Sequence, residues 1–160
     1  MAMRRAARLL LAGSWPATER LATVTLPWGE RHRRRLRLHD DTGSPFLLDL
    51  ERSAVLSDGD GLLIDGGGVI AVVAAIEPVM EVKPGSAAEA ARFAWHLGNR
   101  HAPVQVLESG ALRLLDDLVL AAMLRGLGAV VVKRQAAFAP EPGAYATLAH
   151  GGEGHGHGDS

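Results

Sequence analysis

The sequence predicts an α+β chain: a small all-β domain, then a ferredoxin-like β-α-β-β-α-β domain, then a disordered tail that carries histidines. Three observations predict it. The first half is a series of short alternating or β-branched runs cut by Gly- and Asp-rich turns. The second half places two stretches of helical spacing among strand-like runs, in the order strand, helix, strand, strand, helix, strand. From Gly151 onward only Gly, His, Glu, Asp and Ser remain, a composition too poor in apolar surface to fold by itself. The expected divisions are residues 1–76, 77–148 and 149–160.

The start of the chain, MAMRRAARLLLAG, imitates a secretory leader in its basic-then-apolar order. Its apolar run is short and no small-x-small site follows, so it reads as a first strand. ATVTL (Ala22–Leu26) is a second, interrupted by Pro27 and Gly29. In RHRRRLRLHDD, Arg33, Arg35 and Arg37 fall on one face and Arg34, Leu36 and Leu38 on the other, the period of a strand with one wet side. DDTG (Asp40–Gly43) is a turn before FLLDL; SDGDG (Ser57–Gly61) and GGG (Gly66–Gly68) bracket LLID; VIAVVAAI (Val69–Ile76) is an apolar strand.

EPVMEVKP (Glu77–Pro84) opens the second domain as a strand. Ser86 caps a helix and Glu89, three residues on, completes a capping box. Ala87, Ala90, Ala94 and Leu97 form its apolar stripe with Phe93 beside it, and Gly98 terminates it. PVQVLES and ALRLL are strands about the Ser109–Gly110 turn. Asp116 or Asp117 caps a second helix through LVLAAMLRGL, which Gly128 ends, and AVVVKR (Ala129–Arg134) is the last strand.

Composition narrows the chemistry. The chain has no cysteine, which removes disulfides, thiolate nucleophiles and cysteine zinc sites and fits a cytoplasmic setting. No apolar run is long enough for a membrane helix, so no membrane partner is expected. The net charge of -1 argues against a dedicated nucleic-acid binder. Up to Leu38, however, the chain carries nine arginines against two acids. GGG lacks dinucleotide spacing, and DGDG lacks the later ligands and closing Glu of a calcium loop. No P-loop or nucleophile elbow is present, so no enzyme is indicated.

The histidines remain. His32 and His39 flank the arginine-rich strand, and His96 in a last helical turn complements the helix dipole or packs by its ring. His101 follows the helix break in HLGNRHAPVQV, where Asn99 and Arg100 could brace the turn. It is either a satisfied loop residue or a ligand. The tail, with His150, His155 and His157 spaced by glycines, suits a borderline divalent ion such as Ni, Cu, Zn or Fe, and its irregular spacing is unlike a purification tag. One body histidine per copy holds a metal poorly. Two copies about a two-fold axis would supply a pair, and the tail could complete an open site suited to exchange.

At this point WHLGNRHAPVQV, LLDLERSAVLSDGDGLLIDGGGVIAVVAA, MEVKP, DLVLAAMLRGLGAVV and FAPEPGAY, with the histidine tail, resemble the UreE family of urease accessory nickel chaperones over nearly the whole chain. The resemblance implies a partner-binding β-domain and a ferredoxin-like domain that makes a head-to-head homodimer. It implies nickel held by His101 and its symmetry mate, with His150, His155 and His157 adding or recruiting metal; Zn(II) or Cu(II) would compete for the same site. The implied partners are apo-urease and its accessory complex, which includes a GTPase. Some members carry histidines near the start of the second helix; this chain has Leu115, Asp116, Asp117 and Leu118 there, which puts the peripheral sites of those members in doubt. Two other readings stay open on the residues alone: nucleic-acid binding through Arg31, Arg33, Arg34, Arg35 and Arg37, and a metal store or buffer using the tail.

Overall fold

The computed structural model describes residues 2–143; the expectations for His150, His155, His157 and the tail lie outside the described residues. The first domain is a six-stranded sheet of β1 (Arg4–Leu10), β2 (Arg20–Leu26), β3 (His32–His39), β4 (Pro45–Val55), β5 (Gly61–Ile64) and β6 (Val69–Ala74). Their spatial order is β2-β6-β5-β1-β4-β3, with β1/β4 and β2/β6 parallel and the other neighbours antiparallel. The core packs Ala6, Phe46, Leu48, Leu56, Leu62 and Ile70, all fully buried. β6 is apolar throughout because all but one of its residues are buried, whereas the edge strand β3 is charged. The alternation expected for β3 holds at Leu36 and Leu38 but not at Arg34, which is exposed; the pairing with β4 slips between Arg33 and Arg35.

The turns are built around carboxylates. Asp40 accepts from the Thr42 hydroxyl at 2.6 Å, the Thr42 and Ser44 amides at 3.0 and 3.1 Å, and Arg4 Nη2 at 2.8 Å. The Thr42 hydroxyl first, then Arg4, hold this buried carboxyl well below the usual carboxylate range. In SDGDG, Asp60 accepts from the Ala12 and Ser57 amides at 2.9 and 2.8 Å and Asp58 from the Ala74 amide at 2.8 Å. Backbone amides occupy both acids, as a turn requires.

The chain switches sheets at Ala75, whose amide donates to the Leu26 carbonyl at 3.0 Å. The second domain runs β7 (Ile76–Val82), α1 (Ala87–Asn99), β8 (Gln105–Val106), β9 (Leu112–Leu115), α2 (Leu118–Gly126) and β10 (Val131–Ala137). Its sheet order β10-β7-β9-β8, antiparallel throughout, is the split β-α-β arrangement predicted. Met80, Val82, Leu112 and Leu114 face the helices and meet Phe93, Leu97, Ala121 and Leu124. The buried stripe of α1 is centred on Phe93 and Leu97, one turn apart, and Ala94 is exposed; the two large residues set the face, not the alanines. At its start the Glu89 amide donates to Ser86 Oγ at 3.1 Å, while the Glu89 carboxylate accepts from the Gly85 amide at 2.6 Å, one residue earlier than a capping box places it.

Both helices end in the same motif. At α2, Gly128 N donates to Arg125 O and Ala129 N to Leu124 O, and Gly128 has φ +90°. At α1, His101 N donates to Gly98 O and Ala102 N to Leu97 O, and His101 has φ +55°. These are two Schellman ends, with Leu97 packing near Ala102 and Leu124 near Ala129. Gly98 therefore lies inside α1 and does not terminate it; His101 does. Because Ala129 closes the end of α2, β10 begins two residues later than expected and runs on to Ala137.

These contacts set the stability of three variants. Asp40 is depressed in the folded chain, so its stabilisation is present above the unfolded carboxylate range and is lost as pH falls from about 4 toward the lower folded value. Asp40→Asn should be less stable at neutral pH and show a shallower loss in acid urea titrations; an identical acid slope would contradict this. His101→Gly should leave stability unchanged or raise it by up to about 1 kcal/mol, since relief of left-handed strain exceeds glycine's added chain entropy. Gly128→Ala should cost about 1 kcal/mol. Chemical denaturation measures both, and a His101→Gly loss above about 1 kcal/mol would mean that the imidazole packs.

Candidate functional site

The site grows from the end of α1. His101 is the only described non-glycine residue with positive φ, at +55°. Its backbone is fixed by two hydrogen bonds at 3.0 and 3.1 Å, its own to Gly98 and that of Ala102 to Leu97. Its side chain is exposed. Left-handed backbone favours glycine, then asparagine, aspartate and histidine, and a retained non-glycine residue there costs about 1–3 kcal/mol. Of the two side chains expected to brace the turn, Arg100 Nη1 reaches the His96 carbonyl at 3.4 Å, and Asn99 makes no side-chain hydrogen bond to a described residue.

His96, half-buried, sets its ring edge-on to Trp95 at 4.9 Å between centroids. It packs, as one of its two readings allowed. Asp117 caps α2, accepting from Leu120 N at 2.8 Å, and Asp116 pairs with Lys133 at 3.5 Å. A shallow groove of about 470 Å³ lies between the two helix ends, bounded by Arg100, Ala102 and Pro103 on one side and by Leu115, Asp116 and Val119 on the other. Large apolar side chains stand bare around the helices: Trp95 is 63% exposed, Leu118 80% and Val119 75%.

Among the described residues no three His, Asp or Glu side chains come together as a metal cluster. His101 thus offers one nitrogen per copy, and any tight site built on it needs donors from a second copy or from the chain beyond Gly143. The exposed imidazole fits a borderline ion such as nickel in donor type, and its open surroundings leave room for those further ligands.

The arginine-rich strand is divided by the structure. Arg33, Arg34, Arg35 and Arg37 are exposed on the β3 edge, and Arg35 pairs with Asp49 at 3.7 Å. Arg31 is instead 1% exposed, lying over the Trp28 ring at 5.3 Å and donating to the Phe138 carbonyl of the second domain. Burial pulls its guanidinium below the ordinary value, opposed by the carboxylates of Glu77 and Asp58. Arg31 therefore does not belong to a surface patch; it joins the domains. Trp28 is likewise occupied, edge-on to Phe138 at 6.0 Å and with its amide donating to Glu77 at 2.7 Å, so it is no open stacking platform. Sequence reasoning missed this junction and also Glu141, which accepts from the Val106 amide at 3.1 Å. The only trace of the latter in the sequence is a carboxylate set between Pro140 and Pro142.

Comparison with known proteins adds a second line of information. Residues 5–75 match the model for the N-terminal domain of the UreE urease accessory protein, and residues 77–160 that for its C-terminal domain. A urease accessory protein UreE of Bradyrhizobium sp. (strain ORS 278) is 45% identical over 148 residues, covering 92% of this chain and 70% of the relative. One from Rhodopseudomonas palustris (strain HaA2) is 48% identical over 133 residues, covering 83% of this chain and 61% of the relative. One from Beijerinckia indica subsp. indica is 44% identical over 146 residues, covering 90% and 82%. With both domain models matched in order and identities of this size, the chain belongs to the UreE family of urease accessory proteins.

Proposed function

We propose that this chain is a nickel metallochaperone, not an enzyme, that carries Ni(II) to apo-urease during assembly of the urease active site. The ion is held by His101 of two copies facing across a homodimer axis, and His150, His155 and His157 supply further imidazoles. Zn(II) or Cu(II) would occupy the same nitrogens. In this reading residues 1–76 contact the urease assembly complex and its GTPase, residues 77–148 dimerise and bind metal, and residues 149–160 supply ligands. The setting is the cytoplasm.

One observation carries the reading. The two helices of the second domain end in the same hydrogen-bonded motif, yet glycine fills the left-handed position at Gly128 and histidine fills it at His101. Folding alone favours glycine at both. A side chain kept where it adds strain, exposed beside bare apolar surface, is explained by an interaction outside the single chain. The groove beside it, lined in part by Ala102, Pro103, Val119 and Leu120, offers apolar surface to a second copy.

An ion shared between copies also accounts for the donor count. Among the described residues each chain brings one imidazole, His101, to the shared position and no cluster of three ligands, so release needs only a competing ligand set or separation of the pair. This suits transfer better than structural retention.

His101→Ala should weaken nickel binding at the tight site at least tenfold and abolish the species of one ion per two chains. Calorimetric titration with parallel native mass measurement checks both, and an unchanged tight site would refute the assignment. Acidification below about pH 6 should release the ion, because protons compete for imidazole nitrogen. Equilibrium dialysis across pH 5–8 reads this directly, and full retention at pH 5 would point to carboxylate ligands instead.

A further inference from the structure

Residues 138–141, after β10, stay on the body. Arg113 Nη1, on β9, holds the Ala137 carbonyl at 3.0 Å, and Arg31 holds the carbonyl of Phe138, which is fully buried. The Ala139 amide then donates to Gln105 Oε1 on β8 at 3.1 Å. The Glu141 amide donates to the Val104 carbonyl at 2.8 Å, and the Val106 amide donates back to Glu141 Oε1 at 3.1 Å. β10 and β8 are opposite edges of the sheet, separated by β7 and β9. Three inter-strand gaps of about 4.8 Å make roughly 14 Å, which the four residues from Ala137 to Glu141 span only when nearly extended. Leu112 and Leu114 point to the helices, so Arg113 between them marks the other face as the one crossed.

From this geometry we infer that residues 138–141 are a strap fixing where the histidine-bearing tail departs, and that Glu141 is its positioning residue. The inference rests on the nickel reading above and deepens it. The strap moves the tail's root from the end of β10 to the far edge, beside Val104, three residues past His101. Three residues reach at most about 11 Å and the nine from Glu141 to His150 about 30 Å, so His150 can meet the His101 imidazole with slack remaining. Released to Ala137, the root recedes by up to the width of the sheet. The effective concentration of tail imidazole at His101 then falls. Pro140 and Pro142 fix φ on either side of Glu141 and lower the entropy lost in docking it.

The pinning also covers free groups of the β8 edge, which a purely structural role would explain as well. The test separates the two. Nickel affinity is measured by chelator competition for the full chain and for a chain ending at residue 148, each with and without Glu141→Ala. Expected is a roughly three- to tenfold loss from Glu141→Ala in the full chain, no loss in the shortened one, and recovery with Glu141→Gln, whose side-chain oxygen still accepts from Val106 N. Equal losses in both backgrounds, or no loss in the full chain, would overturn the strap's role. Unchanged binding in His101→Ala would instead overturn the parent reading, and the strap's function with it. Because the chain lacks cysteine, Gly151→Cys gives a single spin-label site. Paramagnetic broadening at residues 100–104 should appear in the full chain and fade with Glu141→Ala; broadening that persists would contradict the strap independently of metal affinity.

Discussion

A helix that must stop short of a strand leaves carbonyls to satisfy, and the second domain satisfies them at both helix ends by a single left-handed residue. Everything proposed for this chain depends on that constraint at the end of α1. The motif ties the backbone at His101 to Gly98 and the next residue to Leu97, whose side chain is in the core. The imidazole is thereby turned away from the body while its mount stays stiff. A ligand placed this way loses little further freedom when it binds, an advantage a histidine on an open loop would not have. The cost is local strain, and the matching end of α2 shows what the fold does where nothing beyond closure is required.

The two domains meet through a different kind of contact. Arg31 leaves the first domain, lies across Trp28, and reaches a carbonyl at the end of the second domain's last strand. Its Nε has no partner among the described residues, so the burial is only partly compensated. A buried guanidinium held by one carbonyl, one ring and two nearby carboxylates is weak evidence for stability and better evidence for a defined relation between the parts. The same carbonyl belongs to Phe138, where the strap begins. The junction and the strap are therefore one continuous structure, running from Trp28 through Phe138 to the β8 edge.

Much of this was legible in the sequence. The period of two in Arg33–Leu38, the glycine-rich turns and the order of elements after Ile76 led to the correct fold class, because burial on one face leaves that pattern in any sheet. Ser86 and Gly128 were readable, and the second cap was narrowed to Asp116 or Asp117, because caps and left-handed ends restrict residue type; the structure selects Asp117. The end of α1 was displaced by three residues because glycine is the usual left-handed residue, and Gly98 masked the unusual choice of histidine. Arg31 enters the sequence reading only as one arginine of the alternative nucleic-acid patch, and strand alternation says nothing about the burial of a residue in the turn before the strand. The strap was invisible: Glu141 and Gln105 accept from backbone amides more than thirty residues away, and neither the distance nor the amide partner leaves a local pattern around a glutamate or glutamine. Family resemblance named the histidine and the metal, while the physical reason for the histidine's exposure came from the helix end.

The central claim is that nickel is shared between two copies through His101. Anomalous diffraction at the nickel edge, from crystals of the nickel-loaded chain, tests it most directly. The account predicts a peak on or beside a two-fold axis, within coordination distance of the His101 imidazole of each copy. A peak coordinated wholly within one copy and remote from His101 would contradict it.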